Sequence, residues 1–323
     1  MKTIRVADPS TGRGLVEADA PQPRPGRGEL LIRVIAAGVT PTELLWYPTT
    51  HSATGEQRRG AVPGHEFSGV VAEVGEEVGS LEIGHEVFGM NDWFSDGAMA
   101  EYCVAQYSAT ALKPHRLTHV EAASVPIGAL TAWQGLFDHA RLQAGERVLV
   151  HGGAGAVGVF VVQLARLHGA HVIATASERN ADFVSGLGAE QVIDYRASRF
   201  EGYVGTVDVV FDTIGGETLE RSWAVLKPRG RMVTIAAGGE ETQDSRVKQA
   251  FFIVEPSQKQ LSLIGELLAA ERLRPVPDTV VRLPEAPRAY AGRVERSGRG
   301  RVVVAVASDG LVAEKEEYAQ ECR

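Results

Sequence analysis

Residues 147–176, RVLVHGGAGAVGVFVVQLARLHGAHVIATA, decide the fold of this chain. An apolar run leads into a glycine-rich turn, an amphipathic stretch and a second apolar run, all within about 30 residues. This order predicts a strand, a turn, a helix and a parallel strand. In GxGxxG spacing, the glycines permit a tight turn, close backbone approach to a pyrophosphate, and close helix packing. The predicted dinucleotide-binding residues are Gly153, Gly155, Ala156, Val157 and Gly158.

The sequence around this segment repeats the same alternation. Between residues 120 and 274, short apolar runs alternate with helical segments, which is typical of a parallel sheet covered by helices on both faces. The predicted strands are 147–152, 171–176, 191–195, 207–215, 231–237 and 251–255. Six strands of this kind favour a doubly wound Rossmann domain.

The two ends of the chain have a different pattern. Residues 1–119 consist of short alternating or β-branched runs broken by Gly and Pro, such as residues 29–39 and 67–75. Alternating strands resume after residue 275. We therefore predict an α/β chain in which a Rossmann domain, 120–274, is inserted into a β-rich domain formed by 1–119 and 275–323.

Composition limits the classes of function. The net charge of -8 argues against nucleic acid as a partner, because phosphate binding requires a basic surface. Cys103 and Cys322 cannot build a disulfide framework or a four-cysteine zinc lobe, which fits a reducing cytoplasm. No run approaches the roughly 20 apolar residues of a membrane span, and the first residues do not resemble a signal peptide. We expect a cytoplasmic enzyme with no membrane partner.

The end of the second predicted strand indicates which dinucleotide binds. An NAD-binding chain commonly places Asp or Glu there for the ribose 2′-hydroxyl, whereas this chain has Thr175, Ala176 and Ser177. Ser177 and Arg179 can supply a hydroxyl and a cation to a 2′-phosphate, with Tyr195 as a third contact. NADPH is therefore the predicted cofactor. A shift of one residue in register would instead turn the following carboxylate, that of residue 178, inward.

Several motifs in order resemble the quinone oxidoreductase branch of the medium-chain dehydrogenase/reductase superfamily, over nearly the whole chain. They are GERVLVHGGAGAVGVFVVQLAR at 145–166, VPGHEFSGVVAEVG at 62–75, SDGAMAEYCVA at 95–105, AASVPIGALTAWQGL at 122–136, DVVFDTIGG at 208–216 and LKPRGRMVTIA at 226–236. Ala156 stands where that branch usually has glycine. The resemblance implies a GroES-like catalytic domain beside the Rossmann domain, and a homodimer.

The same resemblance implies further cofactor contacts. Thr131 would lie near the nicotinamide, and Ile214 and Gly215 would line the adenine-ribose side. Ala236 would touch the cofactor, and the backbone of Phe251 and Phe252 would hold the carboxamide. Core packing is the alternative for the side chains of Thr131 and the two phenylalanines.

Zinc chemistry is not predicted for this chain. Catalytic zinc requires three protein ligands of Cys, His or carboxylate type, and Thr40 stands at the usual first cysteine position. His65 remains, but no clustered cysteines follow it. We expect His65 and Glu66 to be held in a hydrogen-bond network at the domain junction.

Without a metal, the protein must polarise a carbonyl with hydrogen-bond donors and leave the hydride chemistry to the cofactor. The predicted substrate is therefore a small molecule that is already electrophilic, namely a quinone or an α,β-unsaturated carbonyl compound. Thr40 and Tyr47 are the predicted catalytic residues, because they follow the second strand run, where this superfamily places its active site. The branch often has Asn at the position of Thr40 and Tyr at that of Leu45, so Tyr47 is offset and packing at the cleft mouth is its alternative.

Two other functions stay open. An enoyl-thioester reductase would use the same hydride transfer and would need a basic docking patch for an acyl carrier. The candidate arginines for such a patch are Arg58, Arg59, Arg293, Arg296, Arg299 and Arg301. A protein that binds NADPH without turnover is the other alternative, because cofactor binding and catalysis are separable.

Overall fold

The structure is a computed structural model that describes residues 1–8, 13–236 and 242–307. The chain divides into two compact units. The first unit contains residues 1–127 and 256–297 and resumes at residue 301, and the second contains residues 128–255 and 298–300.

The described residues form fourteen strands. In chain order they are β1 Lys2–Asp8, β2 Arg13–Asp19, β3 Glu29–Gly38, β4 Glu66–Val74, β5 Glu86–Met90, β6 Tyr102–Gln106, β7 Thr110–Leu112, β8 Arg147–His151, β9 His171–Ala176, β10 Gln191–Asp194, β11 Val207–Asp212, β12 Leu226–Thr234, β13 Pro277–Arg282 and β14 Arg301–Ala305.

Helices connect these strands, with short 3-10 turns at several of their ends. The α-helices are α1 Tyr47–Thr50, α2 His119–Ala123, α3 Pro126–Trp133, α4 Gly158–Leu167, α5 Ala181–Gly186, α6 Glu201–Val204, α7 Gly216–Ser222, α8 Ser245–Ala250, α9 Gln258–Ala269 and α10 Ala286–Tyr290. Within the described ranges, no helix is both long enough and apolar enough to cross a membrane.

The first unit is built on a seven-stranded sheet with the order β13-β14-β3-β4-β5-β7, in which β6 also pairs with β3. Strands β1 and β2 form a separate hairpin. Fully buried apolar side chains such as Ile32, Phe67 and Met99 fill its core. Cys103 is buried in the same core, and this burial raises the pKa of its thiol to about 12.

The second unit contains a five-stranded parallel sheet with the order β10-β9-β8-β11-β12. Together, the two sheets confirm the predicted fold class, an α/β chain with a GroES-like and a Rossmann-like part. The strand predicted at residues 251–255 is wrong, because only an isolated bridge joins Phe251 to Thr234. Burial alternates along this segment as it would in a strand, and Phe252 packs its ring 4.3 Å from that of His139.

The glycine turn after β8 requires residues that have no Cβ atom. Gly152 has a φ of +79°, and a Cβ there would lie 2.5 Å from the Thr213 hydroxyl oxygen. A Cβ on Gly158 would lie 2.1 Å from the Gly152 carbonyl oxygen, so only glycine lets α4 begin this close to the turn. A Cβ on Gly153 would press on the side chains of Ala174 and Val184, 3.0 and 3.1 Å away. The positive φ of Gly152 was not among the features predicted from the sequence.

His151, at the end of β8, is a buried and neutral base. Its Nε2 lies 2.9 Å from the Ser222 hydroxyl, which itself donates to the Thr218 carbonyl, so Nε2 carries the hydrogen. Its Nδ1 accepts from the Thr175 hydroxyl at 3.2 Å. Burial, reinforced by the nearby Arg221, lowers the pKa of His151 to about 4.

We predict that Gly158→Ala lowers the free energy of unfolding by about 2 kcal/mol, because the added methyl group forces α4 away from Gly152. Urea unfolding measures this change. Gly202→Ala is the matched control, since Gly202 lies in α6 with open space around it, and alanine there should be neutral or stabilising. Equal unfolding free energies for the two variants would contradict this account of the turn.

We also predict a pH-dependent loss of stability that originates at His151. Its pKa in the folded protein, about 4, lies below the ordinary 6.5, so the unfolded chain binds the proton first as the pH falls. Stability is therefore lost from about pH 6.5 down to about pH 4, with about 2 kcal/mol lost between pH 7 and pH 5.

His151→Gln removes this titration, so its unfolding free energy should fall less between these two pH values than that of the wild type. His115→Gln, a change at an exposed histidine, is the control and should keep the wild-type pH dependence. If the unfolding free energy of His151→Gln changes with pH as much as that of the wild type, His151 is not the origin of the pH dependence.

Candidate functional site

A cavity of about 650 Å³ lies in the second unit, at the carboxyl ends of its parallel strands. Ligands of doubly wound folds bind at this edge, where the strand order reverses. The reversal here is between β8 and β11, and the turn after β8 lines the cavity with Gly152, Gly155 and Ala156.

Seven residues predicted to bind the cofactor line this one cavity. They are Gly155, Ala156, Val157, Ser177, Arg179, Tyr195 and Ile214. A Cβ on Gly155 would approach only the Gly152 carbonyl oxygen, at 3.3 Å, so this side of the turn is open. Gly153 and Gly158 act beneath the cavity, where they allow the close packing of the turn.

The other predicted cofactor residues are not part of this lining. Thr131 is buried in α3. Gly215 has a φ of +76°, and a Cβ there would lie 2.5 Å from that of Ala236. Phe251 and Phe252 follow the end of α8, and Phe252 is buried. Their contacts with a cofactor remain predictions that follow from the family resemblance.

The charge of the cavity is positive. Arg179, Arg196 and Arg221 line it, and no aspartate or glutamate is found among its lining residues in the described part of the chain. Arg221 is paired with Glu201, with its nitrogens 2.6 and 2.5 Å from the carboxylate oxygens. Glu178, the carboxylate that a register shift would have turned inward, is exposed and lies outside the lining.

Arg196 was missed in the sequence analysis, although it directly follows a predicted residue. Its Nε donates to the Tyr195 hydroxyl at 3.3 Å, and its guanidinium carbon lies 5.6 Å from the centre of the Tyr195 ring. Its backbone N–H donates to the side chain of Asp194 at 3.0 Å, which fixes the turn that ends β10. Arg196 could have been identified from the sequence as a basic residue that directly follows Tyr195, the last residue of a predicted strand.

A short segment from the far end of the sequence completes this unit. The N–H of Gly300 donates to the carbonyl of Ala154 in the glycine turn at 2.8 Å. Arg299 donates from Nε to Asn180 Oδ1 at 3.0 Å, and its guanidinium lies 4.8 Å from the Phe183 ring. The sequence pattern gave no sign that residues 298–300 join this unit.

The cavity therefore suits a dinucleotide phosphate. Backbone N–H groups of a glycine turn and of a helix start donate hydrogen bonds to phosphate oxygens, and arginines with hydroxyl groups suit an additional phosphate monoester. Ser177, Arg179 and Arg196 offer these groups at the ends of β9 and β10.

The two predicted catalytic residues, in the first unit, have different surroundings. Thr40 is 8% exposed, and its hydroxyl oxygen accepts from Arg301 Nη1 at 2.9 Å. Tyr47 is 55% exposed and stacks on the His51 ring at 4.3 Å. Trp46 contacts Trp93 edge to face, with ring centres 4.7 Å apart, as part of an aromatic cluster.

Buried charges near Thr40 are paired within the first unit. Glu66 lies 2.7 Å from Arg301 Nε, and its other oxygen accepts from the N–H of Ile127 at 2.9 Å. Burial raises the pKa of Glu66 despite the opposing charge of Arg301. Arg301 is buried, so it is not available to a surface docking patch.

A second buried carboxylate organises the loop around His65. Glu43 accepts from the N–H of Gly64 at 3.0 Å and contacts the Tyr290 hydroxyl and His65 Nδ1. Burial and the Glu43 carboxylate raise the pKa of Tyr290 well above its usual range. His65 Nε2 lies 3.3 Å from the carbonyl oxygen of Ser95.

The side chains around Thr40 and His65 do not fit the ligand set of a catalytic zinc ion. Both ring nitrogens of His65 already face oxygens, and the Arg301 cation occupies the space between Thr40 and Glu66. In the described ranges, no group of three or more His, Cys, Asp or Glu side chains is placed to hold a metal ion.

Two stretches of the chain match known families. Residues 26–115 match the family described as Alcohol dehydrogenase GroES-like domain, and residues 187–304 match the family described as Zinc-binding dehydrogenase. The first stretch lies within the first unit, and the second begins in the second unit and continues into residues of the first.

Relatives extend the match along the chain. A probable zinc-binding mitochondrial oxidoreductase of Arthroderma benhamiae is 32% identical over 92% of this chain and 94% of its own. A 2-methylene-furan-3-one reductase of Solanum lycopersicum is 32% identical over 90% of this chain and 74% of its own. The spectinabilin polyketide synthase system protein NorB of Streptomyces orinoci is 36% identical over 75% of this chain, which corresponds to 12% of that protein.

Solved structures agree. The quinone oxidoreductase from Coxiella burnetii is 31% identical and superposes with a TM-score of 0.83, covering 95% of this chain and 99% of its own. A mycobacterial protein solved in complex with NADPH is 28% identical, with a TM-score of 0.77, covering 95% of this chain and all 100% of its own. The chain therefore belongs to the medium-chain dehydrogenase/reductase superfamily of oxidoreductases, in its quinone oxidoreductase-like branch.

Proposed function

We propose that this oxidoreductase transfers hydride from NADPH to a quinone or an α,β-unsaturated carbonyl compound, without the help of zinc. The observation that carries the proposal is the cavity over the glycine turn, which is lined by arginines and hydroxyl groups and by no carboxylate among its described residues. The proposal also retains a homodimer, on the basis of family resemblance, and a cytoplasmic location, on the basis of the low cysteine content of the sequence.

The preference for NADPH follows from charge. The 2′-phosphate of NADPH carries negative charge that a carboxylate would repel and a guanidinium would bind. Ser177, Arg179 and Arg196 lie at the ends of neighbouring strands β9 and β10, where they can surround one phosphate group. NADH has no phosphate at this position, so it would gain nothing from these side chains.

The class of substrate follows from the groups available to polarise it. NADPH supplies a hydride at the nicotinamide C4. Thr40 and Tyr47 offer neutral hydroxyl groups, which stabilise a developing oxyanion but do not replace a Lewis acid. Such donors suit an acceptor that conjugation has already made electrophilic. The similarity to a furanone reductase and to a quinone oxidoreductase supports both kinds of acceptor.

An enoyl-thioester reductase is the second candidate, favoured by the similarity to a polyketide synthase system protein. It would use the same cofactor cavity and the same hydride transfer, with a thioester as the electron-withdrawing group. Binding of NADPH without turnover is the remaining alternative.

We predict that NADPH is oxidised with 9,10-phenanthrenequinone and with a linear enone, faster than with crotonyl-CoA, and that ethanol does not reduce NADP⁺. Steady-state absorbance at the NADPH band measures all four reactions. A clear preference for crotonyl-CoA would move the assignment to the enoyl-thioester reductase, and tight NADPH binding with no turnover on any acceptor would refute the enzymatic proposal.

We also predict that Arg196→Ala weakens NADPH binding about tenfold, which corresponds to the loss of one charge-assisted contact of about 1.4 kcal/mol. Binding of NADH should change less than about twofold, since it has no 2′-phosphate. Calorimetric titration of the apoprotein gives both dissociation constants. Arg166→Ala, which removes an exposed arginine paired with Glu190 outside the cavity, is the control and should change neither constant. If Arg196→Ala weakened the binding of NADPH and of NADH equally, Arg196 would not contact the 2′-phosphate.

A further inference from the structure

Thr40 does not play the local role that its position favours. It ends the segment after β3 and stands at the N-cap of the 3-10 turn Pro41–Leu45, where a threonine commonly accepts a hydrogen bond from the turn. Its side chain makes no such capping bond. The hydroxyl oxygen accepts from Arg301 Nη1 instead, at 2.9 Å.

This arrangement leaves the hydroxyl hydrogen of Thr40 without an acceptor among the described residues. A hydroxyl group has one hydrogen and two lone pairs, and Arg301, which has donors only, takes a lone pair. Thr40 is only 8% exposed. Its hydroxyl hydrogen is therefore a mostly buried hydrogen-bond donor that no described neighbour accepts. Buried donors are normally satisfied, so this one calls for an external acceptor.

Arg301 is fixed in position by three contacts. Its Nη1 also donates to the carbonyl of Val39 at 3.2 Å, and its Nε lies 2.7 Å from Glu66. Glu66 is in turn held by the N–H of Ile127 at 2.9 Å. The side chains of Arg301 and Glu66 are 6% and 0% exposed, so water does not screen the guanidinium as it would at the surface.

A cation that donates to a hydroxyl oxygen draws electron density from it, so the hydroxyl becomes a stronger donor to a third group. The rigid guanidinium also takes the lone pair on one side and directs the hydrogen away from itself. Both effects suit an acceptor that becomes more negative during a reaction, because pre-oriented donors stabilise developing charge at little reorganisation cost.

We propose that Thr40 donates a hydrogen bond to the carbonyl oxygen of the substrate and that Arg301 acts through Thr40 as its positioning residue. This inference rests on the proposed function. Hydride adds to the β-carbon of the enone, the C=C electron pair shifts toward the carbonyl, and the carbonyl π pair moves onto oxygen. Thr40 stabilises the resulting enolate, a proton from water then adds to the α-carbon, and one saturated carbonyl compound and NADP⁺ result.

The test compares matched variants with the enone and the quinone as acceptors. Thr40→Val removes the hydroxyl at similar volume and should lower kcat about 100-fold with little change in KM, whereas Thr40→Ser should stay within about threefold of the wild type. Arg301→Lys keeps a cation beside Glu66 but not the planar contact with Thr40, and should lower kcat about tenfold. In a Thr40→Val background, the same lysine should have almost no further effect.

A ligand that is not turned over gives a second readout. With NADP⁺ present, the absorbance of bound 4-nitrophenol reports how much of it is ionised, and wild type and Thr40→Ser should favour the phenolate at lower pH than Thr40→Val does. If Arg301→Lys does not fold, the double variant Arg301→Gln/Glu66→Gln is used in its place in these comparisons. This double variant removes both buried charges.

The outcomes separate the two proposals. A wild type that reduces no electrophile overturns the proposed function and this inference with it. If the wild type reduces the enone or the quinone and Thr40→Val has the same kcat, the inference alone is overturned. Additive effects of Thr40→Val and Arg301→Lys on kcat also overturn the inference alone. Equal phenolate fractions in wild type and Thr40→Val do the same.

Discussion

The approach of helix α4 to the carbonyl oxygen of Gly152 is the constraint on which the nucleotide-binding unit depends. The helix begins at Gly158, where any Cβ would lie 2.1 Å from that oxygen. Since the helix starts there, its free N–H groups and the turn before it face the open end of the sheet. The cavity and the arginines at the ends of β9 and β10 are arranged around this point.

In the first unit, buried charged groups are paired with one another near Thr40 and His65. Arg301 and Glu66 neutralise each other, and Glu43 is surrounded by donors from Gly64, His65 and Tyr290. Desolvation of such groups is costly, and well-packed apolar residues often give equal or greater stability. Here these charged groups contact polar side chains directly, since Arg301 donates to the Thr40 hydroxyl and Glu43 contacts His65 and Tyr290.

The sequence predicted the parts of the structure that local patterns encode. The glycine spacing, the strands that flank it and the residues at the end of β9 were all readable, because each depends on near neighbours in the chain. Arg301 and the segment 298–300 were not, since they contact Thr40 and Ala154 through the fold and not through any spacing. The error at 251–255 has another cause: its alternate burial matches that of a strand, although it pairs only at one bridge.

The buried thiol of Cys103 has a consequence for a protein that handles electrophiles. Quinones and enones alkylate cysteine through the thiolate, which is the nucleophilic form. With its pKa raised to about 12, Cys103 is almost wholly protonated at neutral pH, and the core also shields it from collision with solutes. Cys322 lies outside the described residues. At Cys103, the chain is thus protected from covalent inactivation by the compounds proposed as its substrates.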